Sequence, residues 1–168
     1  MNNIAKFEKI SFNQFEKDII DAFGKIDNIE AMYDNLKLPE RATVGSAGYD
    51  FCTPVDIKLK PGENIKIPTG IRSKIDDGWF LSIFPRSGLG FKYRLQLDNT
   101  VGIIDADYYN SSNEGHIMIK ITNDSKQEKV VEVETGKGFA QGIFMPFGIT
   151  VDDKVSAKRD GGFGSTQK

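Results

Sequence analysis

Two periodicities divide the chain. Phe12, Phe15, Ile19, Ile20 and Phe23 recur at helical spacing, which predicts an amphipathic helix. Ser11-Phe12-Asn13-Gln14 has the spacing of a capping box, and Gly24 suits a C-terminal stop. A second short helix is predicted from Asp27, with Glu30 three positions on and an apolar face of Ile29, Met32, Tyr33 and Leu36. Such a face packs on the main domain or a neighbouring subunit, or serves a dedicated partner. From Pro39 onward the period becomes two. Val55, Ile57 and Leu59 alternate with Asp56, Lys58 and Lys60 before a Pro61-Gly62 turn, and Ile65 and Ile67 flank Lys66. Trp79 to Phe84 and Ile143 to Phe147 are mostly apolar runs. Ile117, Ile119 and Ile121 alternate with His116, Met118 and Lys120, and Val131 and Val133 alternate with glutamates. Short strands at this spacing predict an all-β domain, an antiparallel barrel or jelly roll. The organisation expected is a helical N-terminal extension over 1–37, a β core over 38–157 and a glycine-rich C-terminal arm over 158–168.

At 168 residues a chain buries roughly 70% of its unfolded surface, so a core needs no disulfide support. The balance of 22 basic and 24 acidic residues offers no positive field for a nucleic acid, and none is expected as a partner. Cys52 is the only cysteine and His116 the only histidine, which excludes disulfide frameworks and multi-histidine zinc sites. Cys52 is read as a small packed apolar group and His116 as a strand residue without a catalytic partner set. No run of 18 apolar residues occurs, so no membrane association is expected, and the N-terminus lacks a signal-peptide pattern. The cytoplasm is the expected compartment.

Many of the 17 glycines fall in five clusters. Ser46-Ala47-Gly48-Tyr49-Asp50-Phe51 places an acid after a turn, where it could simply cap a strand. In Pro85-Arg86-Ser87-Gly88-Leu89-Gly90, backbone N–H groups beside an arginine and a hydroxyl form a nest for phosphate oxygens, or a tight turn. Asn99-Thr100-Val101-Gly102-Ile103-Ile104-Asp105-Ala106-Asp107-Tyr108 is the densest. Its asparagine amide can meet a pyrimidine edge, a tyrosine face can pack on a sugar or base, and a carboxylate can deprotonate water. The plain alternative is a hairpin with a polar tip. Gly138-Phe139-Ala140-Gln141 sets a glutamine among apolar residues, to lock the fold or to contact a ligand. The arm, Lys158 to Thr166, has the composition of a mobile flap that closes on an anionic ligand, or of a plain tail.

Taken in order from about Leu38 to Thr166, the five clusters resemble the five motifs of the trimeric dUTP diphosphatases (dUTPases). The resemblance implies a distorted jelly roll, a homotrimer with active sites shared between subunits, and a C-terminal arm that closes flexibly over each site. It implies hydrolysis of dUTP to dUMP and pyrophosphate with Mg²⁺, which keeps uracil out of DNA and supplies dUMP for thymidylate synthesis. Asp105 would be the base that activates water. Asn99 and the hairpin backbone at Ile103, Ile104 and Met118 would read uracil, with Tyr108 under the deoxyribose. Arg86, Ser87, Gly88 and Gln141 would hold phosphates, and Asp50 would approach the metal through water rather than ligate it. Phe163 would cover the uracil, while Arg159, Gly164, Ser165 and Thr166 clamp the terminal phosphates.

The chain departs from the family pattern at three points. Tyr109-Asn110-Ser111-Ser112-Asn113-Glu114 precede Gly115 where the family has one residue, implying an extended hairpin. Gly138-Phe139 stands where the family has arginine and an aliphatic residue. The fifth motif is one residue short, so Lys158 competes with Arg159 for the phosphate-binding role. A dCTP deaminase shares the fold family but works through a glutamate, whereas Asp105-Ala106-Asp107-Tyr108 matches the hydrolase. A binding module is the other alternative, reaching a regulatory protein partner through the N-terminal hairpin or the Tyr109–Glu114 loop.

Overall fold

The computed structural model describes residues 2–156. The chain runs β1 (Ala5–Lys9), α1 (Phe12–Phe23), α2 (Ile29–Asp34), β2 (Glu40–Arg41), β3 (Tyr49–Cys52), β4 (Ile57–Leu59), β5 (Asn64–Pro68) and β6 (Ile71–Ile75). It continues through β7 (Trp79–Pro85), α3 (Ser87–Tyr93), β8 (Leu95–Leu97), β9 (Gly102–Ile104), a 3₁₀ helix over Ala106–Asn110, β10 (Met118–Asn123), β11 (Val131–Val133) and β12 (Gly138–Pro146). The strands form four small antiparallel sheets, of which the largest has the order β2-β3-β12-β7-β9. The architecture is all-β, of jelly-roll type.

Alternation decides which face of each strand is buried. Ile57 and Leu59 of β4 and Val131 and Val133 of β11 turn inward. Between them, Lys58 and Glu132 face each other across the ladder and pair outside at 2.9 Å. Ile119 and Ile121 of β10, Leu81 and Ile83 of β7, and Phe139 of β12 complete the interior. Cys52 is half-buried, and burial pushes its thiol pKa up.

The N-terminal segment differs from a purely helical extension, because β1 precedes the helices and pairs with β6, Phe7 opposite Ser73. Only one large apolar residue lies in this strand, too little alternation to read. Its ring lies 5.3, 5.5 and 5.7 Å from Tyr49, Phe144 and Phe51, so the core supplies what the local sequence lacks. In α1, Ser11 Oγ accepts the Gln14 N–H, and Gly24 ends the helix at φ +75°. The capping box is only half formed: Gln14 donates to Asp18 instead of returning to Ser11. α2 starts at Ile29, behind Asn28 in a left-handed conformation. The predicted apolar faces do meet, with Met32, Tyr33 and Leu36 packed on Ile10, Phe15, Ile19 and Ile29.

Two expectations about the third cluster change. β8 pairs with β10 and β9 with β7, so the turn between them links two sheets rather than closing a hairpin. The stretch after Asp105 is the 3₁₀ helix and a turn, not an extended hairpin. Register is a long-range property that the local alternation of these three-residue strands does not specify.

Candidate active site

β12 brings three of the five clusters together. It lies between β3 and β7, so Gln141 faces Asp50 on one side and Phe84 on the other, one residue from Pro85. Arg86 follows immediately and turns the chain into α3. Its Nε lies 3.2 Å from Asp50 Oδ1, and its Nη1 donates to the Gly138 carbonyl at 3.3 Å. Gln141 Nε2 donates to the Pro85 carbonyl at 3.2 Å. A Cβ at position 138 would lie 2.9 Å from Arg86 Nη1, so the glycine found where the family has arginine leaves the room that the Arg86 guanidinium takes.

The guanidinium borders a cleft of about 870 Å³ that also includes Ser87, Gly88, Lys92 and Lys137, together with the acids Asp56, Glu132 and Glu134. Ser87 and Gly88 begin α3, and the first N–H groups of a helix have no acceptor within it. Together with a half-exposed arginine they suit an anionic oxygen-rich group. Among the described residues, no three His, Cys, Asp or Glu side chains gather to hold a metal ion. Asp50, the acid of this cluster, is already compensated by Arg86. That donor set fits a hard cation arriving with its own phosphates and waters, and does not fit an all-protein cage.

The third cluster builds a separate cavity of about 390 Å³. Asn99, Gly102, Ile104 and Met118 line it together with Lys66 and Lys120. Ile104 is 2% exposed and Ile103 46% exposed, the alternation of β9 turning them to opposite faces. Asp98 is anchored at the rim by Lys120 at 2.8 Å and by the Thr122 hydroxyl. Burial alone would raise its pKa, but these donors outweigh it and hold the carboxyl below the usual range. Sequence reading did not bring Lys66 and Lys120 to the site. Their alternation marked them as outward-facing, and only the β5–β10 register sets them opposite each other.

Asp105 is half-buried and leads into the 3₁₀ helix, its carbonyl accepting the Tyr108 N–H at 3.1 Å. Tyr108, expected beneath a sugar, is 2% exposed, and its hydroxyl donates to the His116 carbonyl at 2.8 Å. Within one chain the ring is therefore a packing element of the core wall. His116 is fully buried and structural. Arg159, Phe163, Gly164, Ser165 and Thr166 lie outside the described residues, as does Lys158.

Asp105 and Arg86 are far apart on one chain. Leu81 faces Ile104 across β7 and β9, which sets Asp105 beside Phe80. Arg86 lies beyond the opposite end of β7, about 20 Å away at a strand rise of about 3.3 Å per residue. The cleft at Arg86 and the cavity at Asn99 are thus distinct, and Asp105 directly follows Ile104 in the wall of the second.

A family model described as dUTPase matches residues 34–167. The deoxyuridine 5'-triphosphate nucleotidohydrolase of Lactococcus lactis subsp. lactis is 41% identical over 134 residues, covering 78% of this chain and 88% of that protein. Its namesake in Tolumonas auensis is 39% identical over 161 residues, covering 91% and 97%. Among solved structures, the dUTPase of Streptococcus mutans superposes with a TM-score of 0.62 at 34% identity, over 86% of this chain and 97% of that one. A mutant dUTPase from phage phi11 of S. aureus, whose structure reveals the coordination of a structural Mg(II) ion, has a TM-score of 0.63 at 20% identity. It covers 92% of this chain and 98% of its own, a likeness of fold alone.

Proposed function

The chain belongs to the dUTPase family, and on that premise we propose that it hydrolyses dUTP to dUMP and pyrophosphate, in active sites shared between the subunits of a homotrimer. The observation that carries this reading is the separation of Asp105 from Arg86. The residues read as triphosphate contacts (Asp50, Arg86, Ser87, Gly88, Gln141) gather at the Pro85 end of β7. Of those read as base contacts (Asn99, Ile103, Ile104, Met118), Ile103 and Ile104 run along β7 away from that end, opposite Ser82 and Leu81, and lead to Asp105 beside Phe80. A nucleotide whose α-phosphorus must meet both Asp105 and the arginine cluster is served by two chains, each giving one half.

Asp105 accepts a proton from water as the water oxygen bonds to the α-phosphorus. The bond from that phosphorus to the β-bridging oxygen breaks, and its electron pair leaves with pyrophosphate. Arg86 and the α3 N–H groups meet the charge on the phosphates, work done by position and charge and not by covalent chemistry. Mg²⁺ carried on the triphosphate would neutralise further charge, with Asp50 reaching it through its water shell. Asn99 gives an amide to the uracil edge, and Tyr108 holds the floor on which the sugar lies. In the arm, Phe163 covers the base, while Arg159, Gly164, Ser165 and Thr166 close on the terminal phosphates. Consumption of dUTP keeps uracil out of DNA, and the dUMP formed supplies thymidylate synthesis.

Pyrophosphate release, assayed with each deoxynucleoside triphosphate and with UTP, in Mg²⁺ or with a chelator, tests the reading. Release from dUTP alone, abolished by the chelator, is the expected result; no release from any nucleotide refutes the activity. Asp105→Asn is expected to lower kcat by at least about a thousandfold while dUTP still binds, since only water activation is removed.

A further inference from the structure

Two features stand outside the family pattern, the N-terminal extension and the lengthened segment Tyr109–Glu114, and the structure ties each to the other. Glu8 on β1 accepts the Tyr109 hydroxyl at 2.6 Å. Arg72 reaches the same carboxylate at 3.2 Å while its guanidinium lies 4.4 Å from the centre of the Tyr109 ring. At the start of α1, Ser11 gives both its N–H and its hydroxyl to the two oxygens of Glu114, at 2.8 and 2.6 Å. About two turns further on, Asp18 meets His116 Nδ1 at 2.6 Å. His116 Nε2 accepts the Gly70 N–H at 2.7 Å, so the ring proton sits on Nδ1 and is donated to Asp18.

Inside these three grips the segment is braced on Tyr108. The Tyr108 hydroxyl donates to the His116 carbonyl and accepts from Asn113 Nδ2 at 2.8 Å, and Ser111 Oγ donates to the Tyr108 carbonyl at 2.7 Å. Tyr108 in turn bonds back to Asp105 through its N–H. A displacement of His116 or Glu114 is therefore passed through Tyr108 to the residue read as the base.

We propose that the N-terminal extension is a clamp that fixes the segment from Asp105 to His116, with Glu8, Ser11 and Asp18 as positioning residues for Asp105. The inference rests on the assignment of Asp105 above. A tether that only added stability would need no such network, because Phe23 already packs α1 on the main core through apolar contact. A half-buried carboxylate on a fully buried histidine costs desolvation that an apolar pair avoids; what the polar pair supplies is a defined geometry. The Tyr33 hydroxyl, donating to the Ile10 carbonyl at 2.6 Å, ties α2 to the link between β1 and α1 without touching the segment, and so provides the control.

Four variants of the full chain separate clamp from tether: Tyr109→Phe, which keeps the ring under Arg72 but loses the bond to Glu8, Ser11→Ala, Ser11→Thr and Tyr33→Phe. Each is assayed on dUTP well below its own Tm, and amide hydrogen exchange is followed over 105–116. Tyr109→Phe and Ser11→Ala are expected to lower kcat about tenfold with KM within about twofold of the parent. Ser11→Thr restores kcat, Tyr33→Phe leaves it unchanged, and exchange over 105–116 rises only in Tyr109→Phe and Ser11→Ala. Variants that lose Tm but keep the parent kcat and exchange overturn the clamp. If the unaltered protein releases no pyrophosphate from dUTP, the assignment of the reaction fails separately. Exchange then decides: faster exchange in Ser11→Ala than in Tyr33→Phe upholds the clamp, and equal exchange rejects it.

Discussion

Gly115 has little freedom to change. It sits at φ +71°, and an added Cβ would come within 2.8 Å of Tyr109 Cα and 2.9 Å of the Tyr108 carbonyl oxygen. Gly115→Ala is expected to cost about 2–4 kcal/mol, from the left-handed backbone and the clash together, read by urea denaturation. Glu8 gives a second prediction. The Tyr109 hydroxyl and the Lys6 ammonium hold its carboxyl down to about 2, from an ordinary 4.5. A depressed carboxylate contributes stability that is in place above the ordinary value and is lost as pH falls towards about 2. Unfolding free energy measured from pH 5 to pH 2 should therefore fall less in Glu8→Gln than in the parent. Sequence gave access to residue types and not to their pairings. Asp50, Arg86 and Gln141 are legible as an acid, a cation and an amide among glycines. That Arg86 spans Asp50 and the Gly138 carbonyl depends on the β3–β12–β7 ladder. Glu8 and Glu114 carry no local signal, because their partners lie 101 and 103 residues away in sequence.

At the scale of elements, the helices are the most legible part. The spacing of Phe12 to Phe23, the Ser11 cap and the Gly24 stop all appear in the fold, because each is a local interaction. β1 is not legible, since its fit depends on Phe7 finding Tyr49, Phe51 and Phe144. The same distinction governs β8 and β9, whose assignment to different sheets is set by partners far along the chain. Phe15 is the anchor of the extension, fully buried between α1 and α2. Phe15→Ala should cost about 3–5 kcal/mol through the cavity it leaves. The measurement is calorimetry: a single transition moved to lower temperature shows that extension and core unfold together. An early separate transition would mean that the β1–β6 pairing does not couple them.

For the whole molecule, the fold class follows from alternation, and family membership is carried by the order of the five clusters. Assembly is not written in any local pattern. On the single chain, Phe147, Ile149, Val151 and Val155 are exposed in succession after β12, more apolar surface than a solvated loop needs. A neighbouring copy covering this stretch agrees with Asp105 and Arg86 lying about 20 Å apart along β7. The most direct measurement is complementation between Asp105→Asn and Arg86→Ala, each expected to be nearly inactive alone. Equal amounts are unfolded, mixed and refolded, and pyrophosphate release from dUTP is compared with that of the separate variants. If Asp105 and Arg86 of each site come from different chains, random mixing restores both native residues to about a quarter of the sites, and about that fraction of parental activity returns. Activity no greater than the average of the two variants, from correctly assembled mixtures, would contradict a shared site and place both residues at one centre on one chain.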